Sequence, residues 1–192
     1  MTSTFDTHAG VAVGDEEMEE MVVLVDGEDS PLGTAGKLRA HRERLLHRAF
    51  SLFVFDARGQ LLLQRRAAGK YHSAGLWSNA CCGHPRPGES VEAAAARRLH
   101  EEMGLRCEVE RVSAFTYIAA LDGGLWEHEY DHVLVGRTDA EPRPDPREVG
   151  AWRRLPLDDL RREMRAAPER FTAWLAPALE ELLARRKPPD GA

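Results

Sequence analysis

The stretch from Gly83 to Leu105, Gly-His-Pro-Arg-Pro-Gly-Glu-Ser-Val-Glu-Ala-Ala-Ala-Ala-Arg-Arg-Leu-His-Glu-Glu-Met-Gly-Leu, constrains the fold more than any other part of this chain. Ser90 is placed to cap a helix that runs to Met103, because its hydroxyl can accept from an unpaired amide of the first turn. Glu92 falls near the positive end of that helix, and Gly104 supplies the left-handed residue that stops it. A loop rich in Gly and Pro therefore feeds a short, sharply bounded helix that carries Arg97, Arg98, Glu101 and Glu102.

The fixed positions of this stretch resemble the Nudix box: Gly, five residues, Glu, seven residues, then Arg-Glu-apolar-x-Glu-Glu-x-Gly-apolar. One position departs, for Arg98 stands where the family carries a glutamate. In the family's hydrolases that glutamate lies in the cluster that binds metal and activates water, so a cation there argues against diphosphate cleavage. The preceding segment, Trp77-Ser78-Asn79-Ala80-Cys81-Cys82-Gly83-His84-Pro85, resembles that of type I isopentenyl-diphosphate isomerases, in which a cysteine directly precedes Gly-His-Pro. Glu127-His128-Glu129 is similar to the Glu-x-Glu of those enzymes, and Lys37, His41, His47, Arg66 and Lys70 fall in their order. The resemblance runs from about Val22 to about Trp174, with the segment between His41 and His47 one residue shorter than in the family.

The resemblance implies an α+β domain, a Nudix-type α/β/α sandwich with a mixed sheet, and an intramolecular isomerase that interconverts isopentenyl and dimethylallyl diphosphate. It assigns His41, His47, His84, Glu127 and Glu129 to one divalent site (Mn, Mg or Zn), and Glu102 to a Mg ion that arrives with the diphosphate. Lys37, Arg66, Lys70 and Arg98 would compensate the diphosphate charge. Cys82 and Glu129 would carry protons on opposite faces of the alkene, with Tyr117 steering Glu129 and Trp174 stabilising the cationic intermediate. The rival activities are diphosphate hydrolysis and a silent metal-binding or interaction module.

The residues also have plainer readings. Glu127 and Glu129 project from one face of a strand roughly 6.5 to 7 Å apart, which suits one cation but equally a solvated edge strand. Arg98 lies four residues before Glu102, the spacing of an intrahelical salt bridge. Tyr117 could be a half-buried strand aromatic, Trp174 a packing residue on an amphipathic helix, and Cys81 rivals Cys82 as the reactive thiol. A cation or dipole that stabilises thiolate would make Cys82 a proton carrier near neutral pH. His8, His72, His100, His128 and His132 read as structural or surface residues.

A chain of 192 residues suffices for one domain with a full core. The expected organisation is a flexible acidic arm over 1–20, a single domain over 21–185 and a tail over 186–192. A formal charge of −6 offers no basic excess for nucleic acid, and no apolar run approaches the roughly 20 residues of a membrane span. Three cysteines cannot all pair, which points to a reducing, cytoplasmic setting. The expected partner is a small diphosphate, with no nucleic acid and no membrane, and the protein a monomer or weak homodimer. Expected strands are 21–25, a β-hairpin over 49–64 that turns at Asp56-Ala57-Arg58-Gly59, 107–118, 126–135 and 149–154, followed by helices at 157–165 and 169–185, the last bent by Pro177. The stretch 37–47 is ambiguous, and the Pro-rich 141–146 is a loop within the domain.

Overall fold

An opening strand, Met21–Val25 (β1), turns at Asp26, whose carboxylate accepts from the amides of Glu28 and Ser30 at 2.9 Å each, and returns as Pro31–Gly36 (β2). The computed structural model describes residues 20–185, so all but the last residue of the expected acidic arm, and all of the expected tail, lie outside the described residues. The ambiguous stretch after β2 is a helix, Lys37–Glu43 (α1), closed by Arg44 in the left-handed region at φ 56°. The chain then enters His47–Phe55 (β3) and Leu61–Arg66 (β4).

Local turn chemistry between β3 and β4 is as expected, with Asp56 accepting from the amides of Arg58 (3.0 Å) and Gln60 (2.7 Å). The expected antiparallel hairpin is present but confined to its turn. β3 and β4 pair only at Phe55 and Leu61, after which they part. β4 is taken up by Val149–Leu155 (β9), whereas β3 runs parallel to Trp126–Arg137 (β8) from His47↔Glu129 to Phe55↔Arg137. The opposite edge of β3 receives Cys81–Gly83 (β6), which follows the two-residue strand Trp77–Ser78 (β5). Val109–Ala120 (β7) pairs antiparallel with β8 and completes a mixed sheet of nine strands among the described residues.

The apolar run of β3 explains why it is central, since it buries both of its faces. Phe50, Leu52 and Val54 meet the box helix, Val91–Met103 (α2), through Ala94, Ala95, Leu99 and Met103. Phe53 and Phe55 meet Leu157–Ala166 (α3) and Leu175–Arg185 (α4) through Leu160, Leu175 and Leu179. Helices on both sheet faces make the expected α/β/α sandwich. The caps of α2 are those read from the sequence: Ser90 Oγ accepts from Ala93 N at 3.2 Å, and Gly104 sits at φ 65°. Leu99 is fully buried between α2 and the sheet, so Leu99→Ala should cost about 2–5 kcal/mol, read as a lowered urea midpoint at unchanged slope.

The last helix differs from expectation. It starts at Leu175 and not at residue 169, because Phe171 forms a bridge to Trp77 and the amide of Thr172 donates to Trp77 O at 3.0 Å. Pro177 consequently lies in the first turn, where its missing N–H has no partner to lose, and bends nothing. Among the described residues no helix is long and apolar enough to cross a membrane.

Candidate active site

β3 delivers its first residue, His47, opposite Glu129 of β8, and the Nδ1 of His47 meets the carbonyl of Leu45 at 2.8 Å, which leaves its Nε2 turned inward. That nitrogen lies 3.2 Å from His84 Nε2 and 3.7 Å from Glu129 Oε1, while His84 Nε2 is 2.9 Å from the same carboxylate oxygen. His41, on the last turn of α1, brings Nδ1 to 3.5 Å from Glu127 Oε2. The tight reversal at Arg44 absorbs the shortened segment between His41 and His47, and both rings enter one cluster with centroids 5.0 Å apart. Ligand atoms of His41, His47 and His84, and again of His47, Glu127 and Glu129, lie within 4.8 Å of one another.

All five side chains are buried. β8 is an interior strand flanked by β3 and β7, which excludes the solvated-edge reading of Glu127 and Glu129. Burial, with the neighbouring imidazoles, pulls His41 down to about 3. Burial and the charge of Glu129 push Glu127 well above its ordinary value, whereas His47 and His84 hold Glu129 well below its own against the same burial. Both ring nitrogens of His41, Nδ1 of His84 and Oε2 of Glu127 are buried without a hydrogen-bond partner. Each such orphan costs roughly 1–3 kcal/mol, and a mixed set of imidazole and carboxylate donors is what a divalent ion would satisfy.

The cluster opens onto a cavity of about 160 Å³ lined by Cys82, Glu129, Trp174 and the four expected cations Lys37, Arg66, Lys70 and Arg98. Strand alternation in β6 separates the two thiols. Cys81 pairs with Leu52 and joins the core beneath α2, while Cys82 pairs with Ser51 and faces the cavity. The expected stabilised thiolate is not what the surroundings favour: burial, reinforced by Glu102, Glu129 and Glu127, pushes Cys82 up to about 12 against the opposing Arg66. Tyr117, directly across from Glu129 in the β7–β8 ladder, donates its hydroxyl to Glu129 Oε2 at 2.6 Å. Trp174 precedes α4 instead of riding on it, and its indole N–H donates to Ser78 Oγ at 2.9 Å. The guanidinium of Arg66 lies 5.3 Å from that ring.

Arg98 and Glu102 do form the intrahelical pair, at 2.7 Å, and the other oxygen of Glu102 accepts from Gln64 Nε2 at 2.7 Å. Both oxygens of Glu102 are thus engaged, and it stands outside the two His/Glu groups.

The NUDIX domain profile matches residues 45–175. Isopentenyl-diphosphate Delta-isomerase from Serratia proteamaculans is 52% identical over 165 residues, covering 86% of this chain and 92% of its own. Isopentenyl-diphosphate Delta-isomerase 2 from Photorhabdus laumondii is 55% identical over 157 residues, covering 82% and 89%. The chain belongs to the isopentenyl-diphosphate Delta-isomerase family, within the Nudix fold. Among solved structures, DR0079 from Deinococcus radiodurans superposes with a TM-score of 0.71 at 20% identity over 84% of this chain and 99% of its own, a likeness of fold alone.

Within this isomerase-family chain, one cluster and its cavity gather every expected site residue, with Tyr117 and Glu102 bound to them by hydrogen bonds. Sequence reasoning missed others. His72, read as structural or surface, is buried in the cavity wall with its ring 5.9 Å from those of His41 and Trp174. Tyr71, Ser51 and Glu148 also line the cavity. Adjacency to Lys70 was the one available signal for Tyr71 and His72; nothing local singles out Ser51 or Glu148.

Proposed function

We propose that this protein interconverts isopentenyl and dimethylallyl diphosphate, moving one carbon–carbon double bond by a proton gained at the terminal alkene carbon and a proton lost from C2. The observation that carries the reading is the placement of Cys82 and Glu129 on strands flanking β3 at either edge, both facing one cavity, with Tyr117 bonded to Glu129. A thiol and a carboxyl on the two faces of an alkene form an acid and base pair that needs no water. Tyr117, whose own ionisation burial and Glu129 push far up, stays a hydrogen-bond donor and holds Oε2 of Glu129, while Oε1 is turned to His84 and His47, which fixes the carboxyl group in place. A neutral Cys82 is suited to donate first or to receive and keep a proton. The tertiary carbocation between the two steps is shielded by the indole of Trp174, and a cation over such a face gains roughly 2 kcal/mol or more when desolvated.

One divalent ion held by His41, His47, His84, Glu127 and Glu129 would supply the positive charge that balances the buried carboxylates and tunes Glu129. The nitrogen-rich donor set favours a transition ion such as Mn or Zn over Mg. Arg66, Lys70, Arg98 and Lys37 would take the diphosphate, Arg by its planar fork, with Mg accompanying it near Glu102. Three free cysteines fit a reducing cytoplasm.

Incubation with isopentenyl diphosphate, Mg and Mn should yield dimethylallyl diphosphate without release of phosphate or pyrophosphate. Phosphate release without allylic product would overturn the proposal in favour of a hydrolase, and no reaction after reloading with divalent metal would overturn it in favour of a silent module. Dialysis against a chelator should abolish turnover, and added Mn or Zn should restore it; full activity in protein shown by elemental analysis to be metal-free would remove the five-ligand site.

A further inference from the structure

Three of the four cations at the cavity, Lys37, Lys70 and Arg98, are each paired with a carboxylate. Lys37 Nζ lies 2.8 Å from Glu20 Oε2, and Arg98 binds Glu101 at 2.8 Å and Glu102 at 2.7 Å. Lys70 is paired with Glu148, whose Oε2 also stands 3.4 Å from Arg98 Nη2. Glu148 therefore joins a lysine from the loop after β4 to an arginine of α2, and it comes from a third element, the connection between β8 and β9. Its main chain serves the same turn: Ala67 N donates to Glu148 O at 3.0 Å, and Lys70 N donates to Ala67 O at 3.2 Å. The next residue, Val149, is paired with Arg66. The carboxylate lines the cavity and is about a quarter exposed. Burial would raise its pKa, but Lys70 and Arg98 outweigh burial and keep it below its ordinary value.

We propose that Glu148 is a positioning residue of the diphosphate subsite, a carboxylate clamp that presets Lys70 and Arg98 for the phosphate oxygens. The inference rests on the diphosphate reading given above. Long cationic side chains lose rotamer entropy when they are ordered, and a ligand that must order both loses part of its binding energy doing so. The clamp removes that cost before the ligand arrives. It also leaves donors in hand, since an ammonium has three N–H groups and a guanidinium five. Because the carboxylate adds negative charge beside the subsite, the clamp favours a diphosphate already neutralised by Mg over a bare one.

Glu148→Gln keeps the shape and every main-chain bond while discharging the clamp. The Michaelis constant for the diphosphate should rise about tenfold, the scale of one lost charged hydrogen bond, with kcat changed less than threefold. Calorimetry with inorganic pyrophosphate and Mg should show the same weakening in the absence of any chemistry. Lys70→Ala combined with Glu148→Gln should weaken binding by less than the product of the two single effects, since both act through one contact. An unchanged or lowered KM, a loss confined to kcat, or fully multiplicative effects would each overturn the clamp. Should Glu148→Gln not fold, Glu148→Asp, too short to span both cations, carries the same expectation. If the wild type fails to isomerise, that reading falls on its own assay, while the pyrophosphate titration still decides the clamp.

Discussion

Glu129→Gln is expected to lower kcat by about a thousandfold, within the range that a positioned proton carrier contributes, while the circular dichroism spectrum stays that of the wild type. Glutamine is nearly isosteric, and its carbonyl oxygen can still accept from Tyr117, which holds Oε2 at 2.6 Å. What it cannot do is carry a proton between substrate and protein. Nor can it offer His84 a carboxylate oxygen, the present contact being 2.9 Å. The substitution also discharges the neighbour that, after burial itself, pushes Glu127 upward. The Glu127 carboxyl should therefore titrate lower in the variant, and a group whose folded pKa lies above its unfolded value weakens the fold as pH rises. With that penalty reduced, the metal-free variant should lose less stability than the wild type as pH rises above the ordinary carboxyl value of 4.5. A kcat within tenfold of wild type in a folded, metal-loaded variant would remove Glu129 from proton transfer.

What the sequence reveals here follows a physical division. Ser90, Glu92 and Gly104 act on backbone groups within a turn of themselves, so α2 is legible residue by residue. The turn at Asp56 to Gly59 is local in the same way and was read correctly, yet the partners of the strands it joins are set by β8, β6 and β9, far along the chain. That is why the turn is legible while the hairpin built on it is far shorter than expected. The start of α4 differs for a similar reason: Glu169 and Arg170 do turn, in the short 3-10 helix Pro168–Arg170, but the pairing of residues 171 and 172 with Trp77 straightens the chain before α4 begins. Site residues divide along the same line. Cys82, His84, Glu127 and Glu129 stand in short patterns, whereas Glu148, His72 and Gln64 gain their meaning only from what the fold sets beside them. Gln64 is a strand residue like any other until Glu102 is found 2.7 Å from its amide.

The adjacent thiols provide the sharpest contrast, because two neighbours in one strand are expected to fail in different ways. Cys82→Ala should reduce kcat by about a thousandfold with little change in unfolding midpoint, since the side chain faces the cavity and its loss enlarges an existing space. Cys81→Ala should do the reverse. Its sulfur sits fully buried in the core beneath α2 with Leu52 across the ladder, so truncation should cost about 1 kcal/mol of stability while kcat stays within a few fold. Cys82→Ser sharpens the test, as a hydroxyl fits the same space but is a far weaker acid than a thiol, and it should restore little of the lost rate. The comparison is one of proton chemistry against packing, and alternation of side chains across β6 is its whole basis. Severe loss of turnover in a folded Cys81→Ala protein, with Cys82→Ala near normal, would mean that the chemistry belongs to the other face of the strand.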